Sequence, residues 1–129
     1  MSGKDNLATM QSFVAAVLGG DLDTVRALAA PDMELVQGSS LPYAGTYRGA
    51  DGFIAFLGKF GETWDIERLE PVRNFIGEDE GWIACELAFA GTYRANGKRF
   101  ESSLVEVWRI ENGKVLSIRP HYFNSPLVG

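Results

Sequence analysis

Along the first third of the chain, apolar residues recur at helical spacing. Leu7, Met10, Phe13, Val14, Val17 and Leu18 share a face, Asp5 or Asn6 stands where a cap belongs, and Gly19-Gly20 supplies a stop, which together predict a first helix. Asp21 is placed to cap a shorter second helix with Leu22, Val25, Leu28 and Ala29 on one side, closed by Pro31. Met33, Leu35 and Gln37 then alternate with Glu34 and Val36, giving a short strand whose inward face ends in an amide before the Gly38-Ser39-Ser40 loop. Leu41 to Arg48 reads as a connection broken by Pro and Gly. Phe53, Ile54, Phe56, Leu57 and Phe60 mark a third helix ended by Gly61, its aromatic stripe assigned to the core.

From Trp64 the period changes to two. Trp64 to Ile76 predicts a long strand, interrupted at Pro71, and Gly77-Glu78-Asp79-Glu80-Gly81 an acidic, solvated turn. Trp82 to Ala95 follows, with Ile83, Cys85, Leu87 and Phe89 on one side and Ala84, Glu86, Ala88 and Ala90 on the other. The Asn96-Gly97 pair predicts a two-residue hairpin loop that sets Ala95 against Lys98. Counting from it places Leu104 opposite Phe89, Glu106 opposite Leu87 and Trp108 opposite Cys85. An acid thus falls on the large-apolar face, between Leu104 and Trp108.

The turn Glu111-Asn112-Gly113-Lys114 admits two registers. A two-residue loop sets Glu106 across from Arg119, as a salt bridge; a three-residue loop sets it across from Ile118, as a pocket acid. The second is preferred, because it groups Leu116, Ile118, Pro120 and Tyr122 with Leu104 and Trp108 and leaves Ser117, Arg119 and His121 on the flatter face. The pentapeptide Ala-Gly-Thr-Tyr-Arg occurs at Ala44 to Arg48 and at Ala90 to Arg94, in a loop and at a strand end, and carries no repeat architecture.

Composition narrows the setting. A chain of 129 residues fits one domain over residues 1–129 with a single core, and a net charge of -5 without a Lys/Arg cluster argues against nucleic-acid binding. The apolar run Phe13 to Leu18 is too short to span a bilayer, and the one cysteine, Cys85, lies within an apolar strand, so a cytoplasmic protein with no membrane contact is expected. No metal-ligand spacing, phosphate-cradling glycine loop or organised serine nucleophile is present, and no cofactor is called for.

The element order helix, helix, strand, loop, helix and antiparallel meander resembles the NTF2-like superfamily, in particular its SnoaL-like and ketosteroid-isomerase-like members. Gly20-Asp21, the run Leu41 to Gly49 and the run Val107 to Val115 carry the likeness. The resemblance implies an α+β, cone-shaped (cystatin-like) fold in which three helices pack on a curved, mostly antiparallel sheet. It implies an apolar pocket at the open end, and a homodimer through the outer sheet face, here the surface with Ala88, Val105 and Val107. In ketosteroid isomerase an Asp base works with a Tyr and a protonated Asp. The resemblance places these roles at Gln37, Phe13 and Glu106, so only the acid is retained. The residue sets of related epoxide hydrolases and polyketide cyclases are not matched.

Two readings of Glu106 follow. Among Leu87, Leu104 and Trp108 a carboxyl group loses hydration, its pKa rises, and it can act as general acid or base with Tyr122 as hydrogen-bond partner. Alternatively it pairs with Arg119 or Arg73 and fixes the sheet. His121, the only histidine, points to the outer face. The sequence therefore predicts a small hydrophobic molecule as ligand, with Glu106 and Tyr122 as candidate catalytic residues. Gln37, Tyr43, Phe53, Phe56, Trp64, Leu87, Phe89, Leu104, Trp108 and Ile118 are candidate pocket residues. A cofactor-independent enzyme, a non-catalytic carrier and a sheet-surface interaction module are the functions these residues allow.

Overall fold

The computed structural model describes residues 2–39 and 41–124; Ser40 of the predicted Gly38-Ser39-Ser40 loop lies outside them. In chain order the elements are α1 (Gly3–Gly19), α2 (Leu22–Leu28), β1 (Ala29–Gln37), β2 (Gly45–Arg48), α3 (Gly49–Thr63), β3 (Trp64–Ile76), β4 (Trp82–Tyr93), β5 (Arg99–Glu111) and β6 (Lys114–Tyr122). The strands form one curved open sheet in the order β2-β1-β6-β5-β4-β3, antiparallel except for the β1–β6 pair. The helices pack on its inner face, so the class is α+β as expected.

The helix ends differ from the sequence reading in instructive ways. The cap of α1 is Ser2, not Asp5 or Asn6: its hydroxyl accepts from the Asp5 N–H while the Asp5 carboxylate accepts from the Ser2 N–H, a reciprocal box. Asn6 is buried and donates to Glu80 O at 2.9 Å, and the Gly3 N–H donates to the Glu80 carboxylate at 3.0 Å. The acidic turn is thus a clamp for α1 as well as a solvated loop. Gly20 takes the left-handed conformation that stops α1, and Asp21 caps α2 through the Thr24 N–H. Pro31 does not close α2; it lies inside β1, where pairing with β6 is irregular between Ala29 and Glu34 and no N–H is demanded of it. Gly61 does not end α3, which continues to Thr63. Residues 45–48, expected as a connection, form the edge strand β2, so both copies of the repeated pentapeptide lie largely in strands, the second leaving β4 at Arg94.

The hairpin registers are corrected by two residues each. Arg94 is drawn out of the β4–β5 ladder because its N–H and Nε donate to Thr63 O and Gly61 O at the end of α3. The loop consequently spans Arg94 to Gly97, Tyr93 bonds Lys98 at 2.8 Å, and Glu106 faces Cys85 while Leu104 faces Leu87 and Trp108 faces Ile83. At the β5–β6 turn the loop is the two-residue Asn112-Gly113, both with positive φ, but Leu116 is then bulged out. Glu106 faces Pro120, neither Arg119 nor Ile118. Leu116 leaves the inner face, and fully buried Val115 takes its place in the core. Because side chains alternate with period two, both slips keep every other residue on its predicted face.

The core lies between the sheet and the helices. Phe13 is fully buried, its ring 5.1 Å from Phe53 and 5.6 Å, edge to face, from Trp108. Burying such a ring contributes about 2–3 kcal/mol. It locks α1 and α3 onto β5 together.

Candidate functional site

The inner face of the sheet is built in rows that cross the strands. Leu69, Phe89 and Ser102 make one row; Pro71, Leu87, Leu104 and Tyr122 the next; then Asn74, Cys85, Glu106 and Pro120; then Ile83, Trp108 and Ile118. Leu35 adjoins Ile118, so continuing the parallel β1–β6 register by two residues brings Gln37 beside Pro120 in the row of Glu106. Rows are two residues apart, about 6.6 Å along each strand.

A cavity of about 90 Å³ lies between these rows and the helices. The C-terminal half of α1 (Phe13, Val14, Val17, Leu18) and the inward stripe of α3 (Phe53, Phe56, Leu57, Phe60) form one side. Leu35, Gln37, Leu69, Leu87, Phe89, Leu104, Glu106, Trp108, Ile118, Pro120 and Tyr122 form the other. Exposed Leu18 and partly exposed Val14, Val17, Leu57 and Leu69 rim the opening, and Trp108, packed against Phe13, lies at the far end.

Four polar groups interrupt this apolar wall. Glu106 has no cation partner among the described residues: Arg73 is taken by Glu86 at 2.9 Å on the outer face, and exposed Arg119 stands opposite Val107. Loss of hydration pushes the Glu106 carboxyl up to about 7, against the lowering effect of the neighbouring Trp108 side chain. Among the described residues the Trp108 N–H makes no hydrogen bond of full geometry, and Nε1 and Gln37 Oε1 are both buried without partners. Tyr122 is the fourth. Its hydroxyl lies 2.9 Å from that of Tyr43, which accepts from Trp64 Nε1 at 3.1 Å, and burial raises both phenols above their ordinary value.

Of the residues singled out from sequence, Glu106, Tyr122, Gln37, Phe53, Phe56, Leu87, Phe89, Leu104, Trp108 and Ile118 meet at this cavity. Tyr43 and Trp64 do not reach its wall; they stand behind Tyr122 and hold it. Sequence reasoning placed Val14, Val17 and Leu18 with Phe13 on the apolar face of α1 but did not assign them to the cavity. It put Pro120 on the same face as Leu104 and Trp108, and Leu57 and Phe60 on the core stripe of the third helix, without naming them as pocket residues, and it missed Leu69. His121 faces outward opposite Val105 and is exposed. Among the described residues no group of three or more His, Cys, Asp or Glu side chains is placed to hold a metal, and no helix is long and apolar enough to cross a membrane.

The chain is similar over nearly its whole length to solved structures. An NTF2-like protein of Burkholderia xenovorans LB400 shares 27% identity over 95% of this chain and 92% of that one, with a TM-score of 0.82. A protein with a cystatin-like fold from Xanthomonas campestris shares 26% over 97% and 93%, with a TM-score of 0.76. At 15% identity, a candidate SnoaL-like polyketide cyclase from Jannaschia sp. CCS1 shares the fold over 93% and 86% of the two chains, with a TM-score of 0.77. No curated protein sequence matches the chain. The sequence pattern of the SnoaL-like domain matches residues 10–118, and the chain therefore belongs to the SnoaL-like domain family within the NTF2-like superfamily.

Proposed function

We propose that this domain binds a small hydrophobic molecule bearing a carbonyl or hydroxyl group, and that Glu106 acts on it as general acid and base with Tyr122 as hydrogen-bond partner. The observation that carries the reading is a carboxyl group on the wall of an apolar cavity without a cation partner among the described residues, beside two buried polar atoms that lack hydrogen-bond partners among them too. Structural ion pairs satisfy their partners; these groups are kept at the cost of unmet hydrogen bonds, as a site awaiting a ligand would keep them.

A carboxyl group that titrates near neutral pH can take a proton from one atom of a ligand and return it to another. Gln37 is an amide and cannot remove a proton from carbon, and Tyr122 stays protonated, so Glu106 carries the proton alone. Ring closure, the class named for the Jannaschia neighbour, fits that demand: the carboxylate takes a proton from carbon, the carbanion attacks a carbonyl, and the resulting alkoxide receives the proton back. A 1,3-proton shift fits equally. The cavity volume accommodates the reacting portion of such a molecule, with its remaining apolar part leaving past Leu18, Leu57 and Leu69.

Thermal-shift screening against hydrophobic ketones, lactones and epoxides tests the binding claim, since a ligand at 100 times its Kd stabilises the fold by about 2.7 kcal/mol. The absence of any shift across a broad panel removes the pocket reading. For a binder that is turned over, Glu106→Gln is expected to abolish turnover and keep binding; unchanged turnover removes the role of Glu106.

A second reading concerns the other face. Phe75, Trp82 and Val105 are exposed there, and an open groove of about 540 Å³ runs past Trp82, Val107 and Leu116. Such an apolar surface supports assembly into a homodimer, with or without catalysis in the cavity. Sedimentation equilibrium is expected to give twice the chain mass, and Val105→Glu the monomer; a monomeric wild type contradicts it.

A further inference from the structure

Resting on the pocket reading above, we infer that Tyr122 is held as a hydrogen-bond donor for the carbonyl oxygen of the ligand, and that Trp64 and Tyr43 are the positioning residues that give it this polarity. The cavity then selects ketones over the corresponding alcohols.

The direction of the hydrogen bonds follows from counting protons. An indole N–H only donates, so the 3.1 Å contact from Trp64 Nε1 uses the Tyr43 oxygen as acceptor. Tyr43 is buried, out of reach of solvent, and among the described residues the hydrogen-bond acceptor beside its hydroxyl is the Tyr122 oxygen at 2.9 Å. Were Tyr122 to donate to Tyr43, the Tyr43 proton would be sealed among Phe56 and Phe60, whose rings lie 5.6 and 5.4 Å away, with no acceptor among the described residues. The proton of Tyr43 therefore points to Tyr122. The Tyr122 oxygen is left to accept from behind and to donate forward, and forward is the cavity. The relay also removes freedom: a lone tyrosine hydroxyl rotates to donate or accept as a ligand requires, whereas this one is committed.

The surroundings turn that commitment into selectivity. The row of Tyr122 continues as Leu104, Leu87 and Pro71, and among these paired residues no second polar side chain occurs. A ketone oxygen placed there accepts from Tyr122 and is satisfied. An alcohol oxygen can accept as well, but its own proton then faces leucine side chains. Gln37 and Glu106 lie one row deeper, about 6.6 Å along the strand, and are left to serve a different atom of the same ligand. The substrate class is thus an apolar compound with a carbonyl oxygen towards the opening and its reacting or hydroxyl-bearing carbon deeper, beneath Glu106.

The test uses matched pairs, cyclohexanone with cyclohexanol and α-tetralone with α-tetralol, titrated by tryptophan fluorescence against wild type, Tyr43→Phe and Tyr122→Phe. Wild type is expected to bind each ketone roughly tenfold more tightly than its alcohol, the discrimination ordinary for one buried hydrogen-bonding group. In Tyr43→Phe the hydroxyl of Tyr122 is released to turn, so the preference falls towards unity by a gain for the alcohol, although residue 43 touches no ligand. The infrared stretch of the bound ketone carbonyl supplies a readout that a merely structural role for Tyr43 would not move. It is expected at lower frequency in wild type than in Tyr122→Phe, with Tyr43→Phe between them. If neither member of any pair binds wild type, the pocket reading falls and this inference with it. If both bind equally, if the alcohol binds more tightly, or if the frequency is the same in wild type and Tyr122→Phe, the pocket stands and the relay is refuted. Should Tyr43→Phe fail to fold, wild type against Tyr122→Phe decides alone.

Discussion

Glu106 and Cys85 stand directly opposite each other on the inner face of β5 and β4, one a carboxyl and the other a thiol, and neither has an ionic partner among the described residues. Burial acts on both in the same direction, against the charged form. Their proximity adds to this at Cys85, where ionisation would create a second negative charge beside the first.

The pH dependence of stability follows for Glu106. Unfolded, the carboxyl titrates near 4.5; folded, near 7. Between these values the folded chain holds a proton that the unfolded chain has released, so stability declines as pH rises through this interval and is level above it. The full effect of such a shift is about 3 kcal/mol. Asp5, Asp21 and Glu67, whose pKa values are lowered by hydrogen bonds from Ser2, Thr24 and Arg99, act in the opposite sense at lower pH. Comparing wild type with Glu106→Gln cancels them. Denaturant titrations at pH 5 and pH 8 are expected to show the variant gaining stability relative to wild type at the higher pH; parallel behaviour of the two proteins contradicts the assignment.

Cys85 is expected to be chemically silent in the folded protein. Burial first, then Glu106 and Glu86, push its thiol up to about 11, and the side chain is wholly inaccessible. Mass spectrometry after iodoacetamide treatment at pH 8 should show no adduct on the native chain and full modification in denaturant. Rapid native labelling would mean that β4 opens far more readily than its buried position allows.

What was legible in the sequence, and what was not, divides along physical lines. The face of Glu106 was legible because alternation survives any slip of two residues. Its cross-strand partners were not, because they depend on Arg94 being drawn to the carbonyls of Gly61 and Thr63, and on Leu116 being bulged out. Neither event has a signature in a local window. The Tyr43–Tyr122 contact joins residues 79 apart and was equally invisible, although each tyrosine was suspected separately. The fold class was legible because element order and period are local properties. The wall supplied by Val14, Val17 and Leu18 was not, since it depends on how α1 lies across the sheet.

Two glycines turn one of those misreadings into a measurement. Gly20 ends α1 at φ 71°, a conformation that an alanine adopts only with strain, so Gly20→Ala is expected to destabilise the fold by about 1 kcal/mol. Gly61, read from sequence as a helix stop, lies within α3, and a Cβ there meets nothing within 4 Å. Gly61→Ala is therefore expected to stabilise by about 0.5–1 kcal/mol, through the lower chain entropy of the unfolded state. Opposite signs in paired urea titrations support the observed helix ends. A loss at Gly61 equal to that at Gly20 would restore Gly61 as the stop.

Gln37 separates stability from function most sharply. It is 5% exposed, and its Oε1, in the row of Glu106, is buried without a hydrogen-bond partner among the described residues. An unmet buried acceptor weakens the folded state by about 1–3 kcal/mol, and methionine fills nearly the same volume without one. Gln37→Met is accordingly expected to raise the stability of the free protein by about 1–2 kcal/mol in denaturant titrations at pH 7. Affinity for a ligand whose hydroxyl meets Oε1 should fall roughly tenfold at the same time, the effect of removing one buried hydrogen bond. Gain in the first measurement with loss in the second is what a residue retained for binding produces. If Gln37→Met instead destabilises the free protein, the amide is a structural element of β1, and the polar part of the site reduces to Glu106, Tyr122 and Trp108.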